Sequence, residues 1–165
     1  MNLRRVFRFD RAHRYFSLLL AFNCFLIALV VYAWSEGHVA TVFAADQTGF
    51  MISTIGVVGV LGVILSLHKS WKVSCGQIGT NAGLHLLRLF PNLLTGLGLI
   101  GTVLGLIIMT SNMGISGTSA ALTTVTRGFS LAIYTTLVGL FFALWTMTNN
   151  AVIGAQIAVE EDHAQ

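Results

Sequence analysis

Charge is what this chain of 165 residues has least of. Asp, Glu, Lys and Arg make up 9% of it, where a soluble domain carries roughly a quarter. So few charges cannot coat a globule of this size, which excludes an ordinary water-soluble domain. Proline occurs once, and the abundance of Leu, Ile, Val and Phe excludes a disordered or low-complexity chain. The two cysteines make no framework: Cys24 falls in an apolar run and Cys75 in a polar stretch, so no disulfide is expected. Catalytic signatures are missing as well. There is no metal-ligand spacing, no nucleophile elbow and no Walker loop, and the glycine-rich run Thr95–Gly105 has no lysine to hold a phosphate. His13, His38, His68, His85 and His163 are scattered through loops and ends, as solvated surface groups are. The chain is therefore expected to be no enzyme and to use no cofactor and no metal.

What the chain has in quantity is apolar surface. Hydrophobic residues are 55% of it, and the mean hydropathy is +0.81. Four apolar stretches each approach the ~20 residues that cross a ~30 Å hydrocarbon core as a helix. They predict an all-α integral membrane protein with four transmembrane spans, at 15–34, 49–67, 92–110 and 128–150. A cleaved signal peptide would account for the basic front of the first span. Its apolar middle, however, exceeds the ~7–15 residues typical of such a peptide, so a retained anchor is expected. Tyr15, Trp34, Trp71 and Trp145 lie near span ends, where interfacial rings gather.

Basic residues set the orientation. Arg4, Arg5, Arg8, Arg11 and Arg14 crowd segment 1–14, and Lys69, Lys72 and Arg88 lie in loop 68–91, whereas loop 35–48 carries only Glu36 and Asp46. The first and third segments are therefore expected in the cytoplasm. Helix parity then places loops 35–48 and 111–127 in the periplasm and the tail 151–165 in the cytoplasm, giving an N-in/C-in topology. The pI near 9.2 comes largely from the arginine cluster. That cluster reads as a topology signal, with a phosphate-binding arm as the alternative, and no nucleic-acid partner is expected.

The spans differ in character. The first is a run of Leu, Phe, Ile and Val interrupted by Asn23, which suits a helix facing lipid over most of its surface. On the third, Thr95, Gly98, Thr102, Gly105 and Met109 recur every three or four residues, with Gly101-x-x-x-Gly105 beside them. On the fourth, Ala132, Thr136, Gly139, Ala143, Thr146 and Asn150 do the same. Two accounts fit these stripes. In one they serve packing alone, with glycines letting backbones approach and threonines bonding a preceding carbonyl or a neighbouring helix for about 0.6 kcal/mol each. In the other, hydroxyls along a shared seam line a narrow hydrated path. No Asp, Glu, Lys, Arg or His lies between Asn92 and Thr110 or between Gly128 and Thr148. Intramembrane proton relays are built from such groups, so a titrating group would have to come from another chain.

At these residues the sequence resembles the MotA/TolQ/ExbB proton-channel family, whose members use an ion gradient to drive motion or uptake across the envelope. The stretch Gly98-Leu99-Ile100-Gly101-Thr102-Val103-Leu104-Gly105 is similar to the family's Gly-Leu-Leu-Gly-Thr-Val-x-Gly helix. The stretch from Ala132 through Thr135, Thr136 and Gly139 to Ala143 and Leu144, closed by Asn149-Asn150, is similar to its second motif helix. The likeness covers about the last 60 residues. Trp145 stands where many members have proline, and the short loop 68–91 replaces the large rotor-engaging domain of the flagellar members. The run Pro91–Gly98 is closest to the ZorA branch, without that branch's long cytoplasmic tail.

The resemblance implies a channel subunit of a gradient-driven motor complex in the bacterial inner membrane. Thr102 and Thr136 would be its channel-facing threonines. Thr95, Gly98, Gly101, Gly105, Ala132, Thr135, Gly139, Ala143, Thr146 and Asn150 would line the pore or pack against a partner. It implies a homo-oligomer, a pentamer in the family, whose last two helices surround a single-span partner resembling MotB, TolR or ExbD with a transmembrane aspartate. The rival reading is a small holin-like or scaffold membrane protein whose stripes serve only self-association.

Overall fold

The computed structural model describes residues 3–46, 50–75, 82–111 and 118–162. These residues form five helices: α1 (Leu3–Ser35), α2 (His38–Ala44), α3 (Met51–Ser74), α4 (Ala82–Ser111) and α5 (Thr118–Asp162). No strand occurs among the described residues. Four of the helices carry segments long and apolar enough to cross a bilayer, at Arg14–Ser35, Met51–Ser74, Leu87–Ser111 and Leu122–Ala158. The fold is therefore all-helical with four span-capable helices, as composition predicts.

The helices overrun the apolar stretches that announce them. Helix α5 has 45 residues, or about 68 Å at ~1.5 Å per residue, roughly twice the hydrocarbon thickness. Loop 35–48 contains the short helix α2. Gly37, at φ 78, makes the left-handed turn between α1 and α2 that a side chain would resist. At the start of α3 the Ile52 amide donates to Asp46 Oδ2 at 2.8 Å, satisfying one of the donors a helix start leaves open. Gly96, Gly98, Gly101 and Gly105 would weaken a helix in water. In lipid they stay helical because the backbone has no other hydrogen-bond partner.

Helices α4 and α5 make the most intimate pair, and α3 lies against both. Ile55 of α3, Leu94 of α4 and Ala143 of α5 form the buried core, with Val58, Leu97, Val138 and Phe142 packed around it. Contacts between α3 and α5 advance together, from Gly62 beside Thr146 to Ser66 with Asn150 and Ser70 with Gln156. These two helices therefore run parallel. Along α4 and α5 the contacts run in opposite directions, Gly98 meeting Gly139 and Gly105 meeting Gly128, so that pair is antiparallel.

Helix α1 sits at the edge, with 11% of its span buried against 39% for α3. Its mostly apolar surface is exposed, as the run of Leu, Phe, Ile and Val leads one to expect. Leu19 and Asn23 are exceptions, 0% and 1% exposed. Asn23 Nδ2 donates to Leu19 O at 2.7 Å and to Asn149 Oδ1 at 3.0 Å. Its Oδ1 accepts from Trp145 Nε1 at 2.6 Å and from Asn149 Nδ2 at 3.2 Å. Trp145, near a span end by sequence, is 6% exposed, and Asn23 gives its indole N–H an acceptor inside the bundle.

Pro91 lies within α4. Proline has no N–H, so the carbonyl four residues back, that of Leu87, lacks its helical donor. Asn150 Nδ2 donates to that oxygen at 2.7 Å. The helix continues through its proline with the freed carbonyl satisfied from α5.

Candidate functional site

The α4–α5 contact explains the small residues. A methyl group on Gly105 would lie 2.6 Å from the Gly128 carbonyl oxygen and 2.7 Å from the Ala132 nitrogen. One on Gly139 would lie 2.9 Å from both Gly98 Cα and the Leu94 oxygen, and one on Gly101 would strike the Thr135 side chain at 2.5 Å. The two backbones touch, and at these positions only glycine leaves room for that.

At the edge of this contact sit Thr102 and Thr136, both half-buried. Close approach of the helices brings the two hydroxyls into mutual hydrogen-bonding contact. Each also lies within hydrogen-bonding distance of a carbonyl of its own helix, Thr102 Oγ1 at 3.0 Å from Gly98 O and Thr136 Oγ1 at 2.9 Å from Ala132 O; with one proton per hydroxyl, one of the two gives its proton to the other threonine. Thr102 Oγ1 lies 3.5 Å from Ala132 O as well. The pair opens onto a groove of about 630 Å³ whose other walls are Leu106, Phe129, Ala132, Ile133, Leu137, Leu140, Phe141 and Leu144. In an otherwise apolar groove, two threonines supply the polar side-chain atoms. A hydroxyl carries one donor and two acceptor lone pairs, so this pair can solvate an ion or a carboxyl group. It cannot hold a proton itself.

Residues 72–165 match the MotA/TolQ/ExbB proton channel family. The match takes in more than half of the chain, including all of α4 and α5. The chain belongs to the MotA/TolQ/ExbB family. Membership, with four span-capable helices, makes it a multi-pass membrane protein of a proton-channel family. The matched region begins well before the motif helices on which the sequence resemblance rests, while α1, α2 and most of α3 lie outside it. No curated protein and no solved structure matches the chain.

Of the family-type residues singled out by sequence, the structure brings Thr102, Thr136 and Ala132 together at the groove. Gly98, Gly101, Gly105 and Gly139 form the α4–α5 contact beneath it. Thr135 is fully buried, lies against Gly101 and bonds the Leu131 and Ala132 carbonyls. Ala143 belongs to the core. Thr146, also fully buried, lies beside Gly62 and bonds the Phe142 and Ala143 carbonyls. Asn150 bonds Leu87. Thr95 is exposed and bonds the Pro91 carbonyl at 2.9 Å. Within a single chain the stripes thus divide between the groove, the helix contact and the bundle interior.

Sequence reasoning overlooked two polar contacts in the MotA/TolQ/ExbB chain. Asn23, Trp145 and Asn149 form one. Its signal was an amide in each of two apolar spans, since a buried amide needs a partner. The Asn150–Leu87 bond is the other, and its signal was the proline four residues after Leu87.

Proposed function

We propose that this chain is the channel-forming subunit of a proton-driven motor complex in a bacterial inner membrane, with both ends in the cytoplasm. Five copies surround the helices of a single-span partner that carries a transmembrane aspartate. Helices α4 and α5 face the centre, and α1 and α3 face lipid. The observation that carries this reading is the Thr102–Thr136 hydroxyl pair in an open apolar groove, on two helices whose spans hold no Asp, Glu, Lys, Arg or His between Asn92 and Thr110 or between Gly128 and Thr148.

The energetics support a visiting carboxylate. A lone charge at the bilayer centre costs at least ~2.5–3.5 kcal/mol even on lenient insertion scales. A ring of identical hydroxyl pairs offsets that cost and accepts the acid in both protonation states, since each hydroxyl both donates and accepts. Each proton crossing supplies about 2.3 kcal/mol per 100 mV. Because every copy presents the same groove, the partner steps from one to the next as protons pass, and rotation is the output.

The test is proton flux into vesicles holding the chain with its partner. Thr102→Val and Thr136→Val keep the side-chain shape and remove the hydroxyl, so both should assemble normally and lose flux. Normal flux in both valine variants, or flux that persists when the partner's aspartate becomes asparagine, would refute the reading. Impermeant labelling from outside intact cells, in a background without Cys24 and Cys75, should modify cysteines placed at Gly37 or Ser116 and spare those at Ser74 and Val159, which checks the orientation.

A further inference from the structure

Below the core, the α3–α5 seam changes from apolar to polar. Ser66, Ser70 and Ser74 recur every four residues on one face of α3 and are 0%, 0% and 4% exposed. Asn150 and Gln156 of α5 face them. Ser66 Oγ approaches Asn150 Oδ1 at 3.5 Å, and Ser70 Oγ donates to Gln156 Oε1 at 2.9 Å. Ser66 also donates to Gly62 O at 2.8 Å. Gln156 is 2% exposed, yet its Nε2 has no hydrogen-bond partner, and neither does the buried Ser74 Oγ.

Two buried donors without acceptors in one short stretch are unusual, because a buried polar group left bare loses its hydration with nothing in return. Swapping the ends of the Gln156 amide does not remove the problem, since Ser70 can serve only one of them. Among the described residues no charged side chain takes part in this seam's hydrogen bonds, so the missing partner is small, neutral and able to accept or donate. Water fits these requirements, and buried water characteristically satisfies such groups.

We propose that this seam is a water-binding inlet, occupied by water held at Gln156 Nε2 and Ser74 Oγ. On this proposal its mouth is at the end of α3 that carries Lys69 and Lys72, the end at which Ser74 stands. Toward the membrane centre it is closed. A methyl group on Gly62 would meet the Phe90 ring and Thr146 Cγ2 at 3.0 Å, and one on Gly59 would overlap the Phe142 ring. Water therefore enters the interior of a protomer from one end and stops at these rings, so the interior is no route across the bilayer. This inference stands apart from the channel reading and survives its failure.

Water-edited solid-state NMR on the protein in bilayers tests it, with glutamine side-chain and tryptophan indole nitrogens labelled. The Trp145 indole, bonded to Asn23, is the dry reference. The Gln156 side-chain signal should gain polarisation from water several-fold faster than Trp145. Gln156→Met identifies the signal. Should that variant fail to fold, replacing the other glutamines, Gln47, Gln77 and Gln165, by glutamate leaves it by elimination. Build-up at Gln156 as slow as at Trp145 would overturn the inlet.

Discussion

Replacing Asn150 by alanine should destabilise the bundle by about 1 kcal/mol, and by much less once Pro91 is alanine too. Pro91 deprives the Leu87 carbonyl of its helical donor. Asn150 Nδ2 replaces that donor at 2.7 Å. Side-chain hydrogen bonds between membrane helices average ~0.6 kcal/mol and reach ~1.7. A short bond to a carbonyl with no alternative belongs in the upper half of that range. The other Asn150 contact, to Ser66 at 3.5 Å, is too long to add much. In Pro91→Ala the restored N–H closes the turn within α4, so losing Asn150 no longer leaves an orphaned oxygen. Equilibrium unfolding in bicelles of the wild type, both single variants and the double variant gives the coupling directly. A coupling near 1 kcal/mol is expected. Strict additivity would show that Asn150 and Pro91 act independently and would refute the account.

Asn23→Leu removes three hydrogen bonds between α1 and α5, worth about 2 kcal/mol together at ~0.6 each. A spin label on Cys24, which is free and exposed, in a Cys75→Ser background should then report a loosened α1; an unchanged spectrum with unchanged stability would count against the anchor. Gly105→Ala should cost about 1–3 kcal/mol by forcing the α4 and α5 backbones apart. Gly96→Ala, with nothing within 4 Å, should be neutral or stabilising, and equal stability of the two in thermal unfolding would contradict the described contact.

Much of this architecture is written in single residues. The spans are legible because the lack of charge and the apolar runs have one physical solution in a bilayer, a helix that satisfies its own backbone. Thr102 and Thr136 are legible because their motif spacing puts each on a small-residue stripe. Helix ends are not, since α5 continues beyond Asn150 through residues that are polar only in part, supported by Ile153 and Gln156 buried against the rest of the bundle. Nor does periodicity say which neighbour a stripe meets. Thr135 and Thr136 are adjacent in sequence, yet one is sealed against Gly101 and the other opens onto the groove. A rotation of one residue, about 100° on a helix, separates them.

The uninterrupted length of α5 makes it a lever. From Thr136 to Asp162 it runs as one rod for roughly 39 Å at ~1.5 Å per residue. A tilt of about 5° imposed at the groove displaces its far end by roughly 3 Å over that length. A side-chain-sized adjustment around two hydroxyls thus becomes a displacement comparable to the width of an atom beyond the membrane, without a hinge and without unfolding any turn.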